Sequence, residues 1–186
     1  SSVTKPENRR FSNMNFAAAA KLAGYEEPTD FMCELLCDED GKVGIILLSM
    51  DPKDVDTIAR LPWSMIISDS LYGISDCPHP RLYGSFPKVL RDFVRERGVL
   101  TLPQAIHKMT AMPAARLGLT DRGILAPGRK AEIAVFDPAV ITDHATYDNP
   151  KQLCTSSMEK LPSKKILCAA GTAALPSVNN HCVKRR

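Results

Sequence analysis

The chain has 186 residues, 44% of them hydrophobic and 24% charged, with a formal net charge of +3 at pH 7. That is globular composition with enough apolar side chains for a real core, and it excludes a disordered polymer. No apolar run approaches the roughly 18 residues a membrane span needs, and the start carries no signal-peptide pattern, so no membrane partner is expected.

Positive charge is spread along the sequence. The closest thing to a basic run is Lys184-Arg185-Arg186, and the sparse aromatic residues are not interleaved with cations. Nucleic acid is therefore not an expected partner. Six cysteines are present (Cys33, Cys37, Cys77, Cys154, Cys168 and Cys182), but no CxxC pair, which argues against a zinc knuckle or a redox motif. The chain is long enough not to need a disulfide framework. Cys33 and Cys37, four apart in an apolar pattern, read as small buried hydrophobes on one helix face. A reducing cytoplasmic setting is expected.

The first sixteen residues are polar and unpatterned and read as a loop. Ala17 to Ala23 is an Ala-rich helix ended by Gly24. Pro28-Thr29-Asp30 starts a second helix, with Phe31, Leu35 and Leu36 on one face and Asp38 to Gly41 closing it. Lys42 to Ser49 (KVGIILLS) is a continuous apolar run, the pattern of a strand buried on both faces. Asp51-Pro52 opens a short helix to Arg60, and Met65 to Ile67 reads as a second buried strand. Strand, helix, strand with short connections predicts a βαβ unit with parallel strands and a right-handed crossover.

The stretch from Ser64 to Gly84, SMIISDSLYGISDCPHPRLYG, carries the chemistry. The apolar run stops at Ser68-Asp69, and Gly73, Pro78, Pro80 and Gly84 predict a loop beyond it. A carboxylate at the end of a buried strand, followed by a loop with His79 and Arg81, is how α/β-barrel enzymes present reactive groups. From residue types alone a second reading stays open: Asp69 caps the next element and Arg81 is a solvated loop cation.

Three helices follow. Phe86 to Arg97 has Phe86, Val89, Leu90 and Phe93 at helical spacing, with Gly98 as its end. Thr101 to Thr110 opens with Thr101 and Gln104 placed as a capping box, and Met112 to Leu117 is closed by Gly118. Glycine-bearing turns then bracket Ile124-Leu125, Ala131 to Phe136 reads as a strand ending at Asp137-Pro138, and the remainder is turn-rich with short β-like runs such as Ile166 to Ala169. Only two barrel-type strands are visible, whereas an eight-stranded barrel takes on the order of 250 residues.

From Ser64 onward the sequence resembles the N-acyl-D-amino-acid deacylases (D-aminoacylases) of the amidohydrolase superfamily. The resemblance is carried by SMIISD, by CPHPRLYGSFPKVLRDFVRERGVLTLPQAIHKMTAMPAARLGL, by DRGILAPGRKAEIAVFDP and by DHATYDNPKQ. KVGIILLSMDPKDVDTIARLPW fits the family's segment between its last two barrel strands. The likeness fades after Lys160, where LPSKKILCAAGTAALPSVNNHCVKRR departs from the family's closing hairpin.

The resemblance implies an α/β fold: the C-terminal portion of a TIM-barrel amidohydrolase over residues 1–122, and part of a small β-sandwich over 123–186. It implies that Asp69 is the catalytic aspartate at the end of strand eight, taking a proton from a zinc-bound water and delivering it to the leaving amine, and a candidate metal ligand. Arg81 matches a loop arginine that meets an acidic group on the substrate, with His79 beside it as a substrate-binding residue. The substrate would be a small N-acyl-D-amino acid and the family's cofactor zinc. The family's other zinc ligands have no counterpart here, so the segment alone is expected to bind no metal and to be inactive. His107 and His144 read as satisfied or solvated histidines, and Cys77 as a loop thiol.

Two other readings compete. One is a truncated, non-catalytic paralogue acting as an interaction module, favoured by the altered tail. The other is a cyclic amidohydrolase of the hydantoinase or dihydroorotase kind, against which the HPRLYG loop argues. Exposed barrel strands would also favour self-association.

Overall fold

Two separate apolar clusters organise the chain. Its structure is a computed structural model that describes residues 2–70 and 78–155 and the backbone of 167–170. The first cluster gathers Phe11, Ala19, Ala20 and Phe31, with Ala23, Tyr25 and Leu35 against it. Helix α1 (Phe16–Leu22) starts where the Asn15 side chain accepts from the amides of Ala17 and Ala18. It ends at Gly24 (φ +88°), which lets Gly24 N and Tyr25 N reach back to Lys21 O and Ala20 O. Helix α2 (Pro28–Asp38) opens with proline, whose missing N–H is no loss in a first turn. The Phe31 ring meets those of Phe11 edge-on at 5.0 Å and of Tyr25 at 5.7 Å.

The opening residues are not the unpatterned loop their polarity suggests. Pro6–Phe11 forms a 3-10 turn with Asn8 and Phe11 buried. It is tied down by Glu39, just past α2 and 1% exposed. The Glu39 carboxylate accepts from Thr4 N at 2.6 Å, Thr4 Oγ1 at 2.5 Å, Lys5 N at 3.1 Å and Asn8 Nδ2 at 2.6 Å. Burial alone would raise its pKa. The hydrogen bonds from Thr4, Asn8 and Lys5 outweigh burial and hold it at about 2, below the ordinary 4.5.

The second, larger cluster contains Ala59, Val89, Leu90, Val99, Leu100, Ala105, Met109, Phe136 and Ile141. Helix α3 (Pro52–Arg60) is capped by Asp51, which accepts from Lys53 N at 2.8 Å. Helix α4 (Arg81–Lys88) runs straight into a π-helical stretch, Val89–Glu96. Pro87 cannot donate a backbone bond, and the helix relaxes to the wider geometry immediately after it. Helix α5 (Leu102–Met109) begins with the Thr101/Gln104 capping box that its sequence predicts. Helix α6 (Ala111–Arg116) follows and turns at Gly118. Strand β1 (Ile133–Phe136) pairs antiparallel with β2 (Leu167–Ala170), with Ile133 opposite Ala170 and Phe136 opposite Leu167.

Several expectations are corrected. Lys42 to Ser49 and Met65 to Ile67 are not buried parallel strands. Among the described residues the first makes a single bridge, Gly44 to Ser2, and Ile45, Leu47, Leu48 and Ile67 are 65%, 74%, 79% and 67% exposed. A parallel strand is stabilised only by neighbours on its edges and faces, and among the described residues no ladder joins these two segments. The helix read as starting at Phe86 begins at Arg81, so the HPRLYG stretch is its first turn. Gly84 lies inside that helix because Asp143 and Ala145 approach it, 3.3 and 3.5 Å from where a Cβ would stand. Cys33 and Cys37 are exposed and not buried as expected, on the face of α2 turned from Phe31, and Cys154 is disulfide-bonded. Cys77 and the terminal basic run fall outside the described residues.

Two outcomes follow. Glu39 is ionised in the folded chain well below its ordinary pKa, so its contribution is fully present above pH 4.5 and is lost as pH falls towards 2. Thermal unfolding followed against pH should show this acid loss, and Glu39→Gln should remove that slope while lowering Tm at neutral pH. Gly123 sits at φ +88°, and a Cβ there would lie 2.6 Å from Ala114 Cβ. Gly123→Ala should therefore cost about 1–3 kcal/mol in a denaturant titration.

Candidate active site

The structure brings Asp69, His79 and Arg81 together. Asp69 ends the extended segment after α3, at φ +46°, a left-handed conformation uncommon for a non-glycine residue. Aspartate tolerates it because its short side chain bonds locally. The turn is closed by Ser70 Oγ, which donates to Ser68 O at 3.0 Å. The carboxylate is 72% exposed and faces the guanidinium of Arg81, with Oδ2 and Nη2 3.2 Å apart.

Arg81 is the first residue of α4, placed there by Pro80 at the cap. Its backbone N–H donates to His79 Nδ1 at 3.0 Å, so the imidazole satisfies an otherwise orphaned donor of the helix start. Accepting at Nδ1 assigns the ring proton to Nε2. Burial lowers the pKa of His79, the cations Arg81 and Lys88 lower it further, and Asp69 acts in the opposite direction. Its surroundings thus favour the neutral ring. Its ring stands edge-on to that of Tyr147, 5.3 Å between centroids.

Tyr147 is a site neighbour that sequence reasoning missed. It belongs to the DHATYDNP stretch, some 66 residues beyond Arg81, and reaches the site because Gly84 lets Asp143 and Ala145 lie against α4. Arg91 fixes that stretch by donating from Nε to Asp143 Oδ1 at 2.7 Å, and Arg95 does so by donating to Ile141 O at 2.7 Å. The DHATYDNP stretch around Tyr147 held the signal, but no periodicity connects it to His79.

The arrangement offers an exposed carboxylate, a planar cation beside it and an imidazole at a helix start. It does not offer a metal site by itself. No group of three or more His, Cys, Asp or Glu side chains among the described residues is placed to hold a metal ion. The one acidic group here already faces a cation. His107 lies on α5, and His144 Nε2 meets Thr155 Oγ1 at 2.5 Å; neither joins Asp69.

The model of the Amidohydrolase family matches residues 21–156. The chain belongs to the amidohydrolase family. It is 43% identical over 141 residues to N-acyl-D-aspartate deacylase from Alcaligenes xylosoxydans xylosoxydans, covering 70% of this chain and 28% of that protein. It is 47% identical over 107 residues to N-acyl-D-glutamate deacylase from the same organism, covering 58% of this chain and 22% of that one. Among solved structures, N-acyl-D-glutamate deacylase from Bordetella bronchiseptica, complexed with zinc and a phosphonate mimic of the tetrahedral intermediate, superposes with a TM-score of 0.73. That likeness is 36% identical and covers 83% of this chain and 31% of the other. This amidohydrolase chain therefore spans less than a third of the length of the deacylases it matches.

Asp69 and Arg81 are exposed and make one ion pair, which on a surface contributes about 0–1 kcal/mol. Asp69→Asn and Arg81→Ala should each leave the unfolding free energy within about 1 kcal/mol of the parent chain in urea titrations. A larger loss would make the pair a structural feature.

Proposed function

We propose that this chain supplies the proton-transfer and substrate-carboxylate residues of an N-acyl-D-amino-acid deacylase, which hydrolyses its substrate to a carboxylate and a D-amino acid. The observation that carries the reading is the 3.2 Å approach of Arg81 to Asp69 at the end of the extended segment. It sets a proton acceptor and a carboxylate receptor side by side, within a sequence shared with deacylases of acidic D-amino acids. In this reading residues 1–122 belong to the catalytic (β/α)8 barrel and 123–186 to a small β-sandwich. The exposed Ile45, Leu47, Leu48 and Ile67 side chains are the faces that further barrel strands would cover.

Asp69 takes the proton of the attacking water as the amide carbon becomes tetrahedral, then returns it to the nitrogen as the C–N bond breaks. Arg81 leaves Asp69 to bind the substrate carboxylate through two parallel hydrogen bonds, which frees Asp69 for the proton. His79 keeps the start of α4, and with it Arg81, in register through its Nδ1. Zinc belongs to the proposal for the whole enzyme, with further ligands outside the described residues.

In the full-length enzyme carrying this sequence, Asp69→Asn should lower kcat on N-acetyl-D-glutamate at least about 100-fold and leave the bound metal in place. Metal analysis beside steady-state kinetics checks this. Near-normal turnover of the folded, metal-loaded variant would remove Asp69 from the reaction.

A further inference from the structure

Lys108 is the most deeply buried cation of the described chain, 5% exposed on the core side of α5. Its ammonium donates to Leu61 O at 2.5 Å, Ser64 O at 2.9 Å and Ser64 Oγ at 3.0 Å, which uses all three of its protons. No carboxylate pairs with it among the described residues, and burial pushes its pKa down. An unpaired buried charge is costly, and an aliphatic side chain would fill the same space without that cost. What only lysine provides here is a three-pronged hold on one short segment. The backbone of the same residue completes it: Ile66 N donates to Lys108 O at 3.1 Å. Ser64 Oγ in turn donates to Leu61 O at 3.0 Å, and Ile66 packs on the larger apolar cluster.

We infer that Lys108 is a positioning residue for Asp69: its ammonium and its own carbonyl grip Leu61 to Ile66 from both sides, and so fix where the carboxylate emerges beside Arg81. Only Ile67 and Ser68 separate the last gripped residue from Asp69, and the turn at Ser68–Ser70 is itself closed by a hydrogen bond. Ile67 is exposed, and no backbone hydrogen bond holds it among the described residues. The grip at 61–66 is therefore what anchors the acid. Its catalytic consequence rests on the reading of Asp69 as the proton-transfer group; the positional claim does not.

The test compares Lys108→Met, which keeps length and loses the donors, with Lys108→Arg, which keeps donors. In the chain as it stands, hydrogen exchange at the Ile66 amide should accelerate about tenfold or more in Lys108→Met, and the Asp69 amide resonance should move. Lys108→Arg should restore most of both. Unchanged exchange and an unmoved Asp69 resonance in folded Lys108→Met would overturn the inference. If Lys108→Met does not fold, Ser64→Ala removes one acceptor and leaves two carbonyls for the ammonium. It must then displace the Asp69 resonance, and a resonance that stays in place overturns the inference. In the full-length enzyme, Lys108→Met should lower kcat about tenfold with KM within about twofold, and arginine should rescue it. If the parent enzyme shows no deacylase turnover, the reading of Asp69 fails, and the exchange and resonance data alone decide the positional claim.

Discussion

The continuous helix from Arg81 to Glu96 is the constraint on which the larger part of the structure depends. One side contributes Phe86, Val89, Leu90, Phe93 and Val94 to the apolar cluster. Arg91 and Arg95 on the helix, and Arg97 just past its end, reach different partners. Arg97 meets Asp56 of α3 at 2.6 Å, Arg91 meets Asp143, and Arg95 meets the carbonyls of Pro138 and Ile141. Fork-shaped guanidinium groups suit this work because each binds two or more acceptors in a fixed plane. The interruption at Pro87 does not end the helix, since the flanking apolar contacts hold it on both sides.

The candidate site is a consequence of that helix. Its first residue is Arg81, its cap is Pro80, and the residue before the cap is His79, so the cation and the imidazole are placed by a helix start and not by a loop. The opposing carboxylate arrives on a segment held by α5 through Lys108. Tyr147 arrives on a stretch held by Arg91 and Arg95 of the same helix. Three elements distant in sequence thus converge because each is bonded to the 81–109 helical region. Relatives that share this stretch include an N-acyl-D-aspartate deacylase and an N-acyl-D-glutamate deacylase.

Much of this was legible in the sequence where one local rule decides the outcome. The Thr101/Gln104 box, the glycine after α1 and the proline starts of α2 and α3 all appear where their residues predict. So does the strand ending at Phe136. Asp69, His79 and Arg81 stand out by residue type and spacing, and the structure puts them in contact. The failures share one physical origin: they concern residues whose role is set by a distant partner. KVGIILLS has the pattern of a buried strand, but burial depends on neighbours, and the described residues provide it with only Ser2. Glu39 reads as a helix-closing acid, yet it is buried because Thr4, Lys5 and Asn8 fold over it. Lys108 interrupts the apolar side of α5 between Ala105 and Met109, a visible irregularity whose reason lies at Leu61 and Ser64.

The claim most open to direct measurement is that Arg81 receives the substrate carboxylate while Asp69 handles the proton. The decisive experiment measures kcat/KM of the full-length enzyme for N-acetyl-D-glutamate and for the matching N-acetyl amine that lacks the α-carboxylate, in parent and Arg81→Ala forms. The account predicts a strong preference for the carboxylate-bearing substrate in the parent, falling by on the order of 100-fold in Arg81→Ala through loss of a charge-assisted bidentate contact. A preference that survives the substitution intact would contradict it and assign carboxylate recognition to another residue.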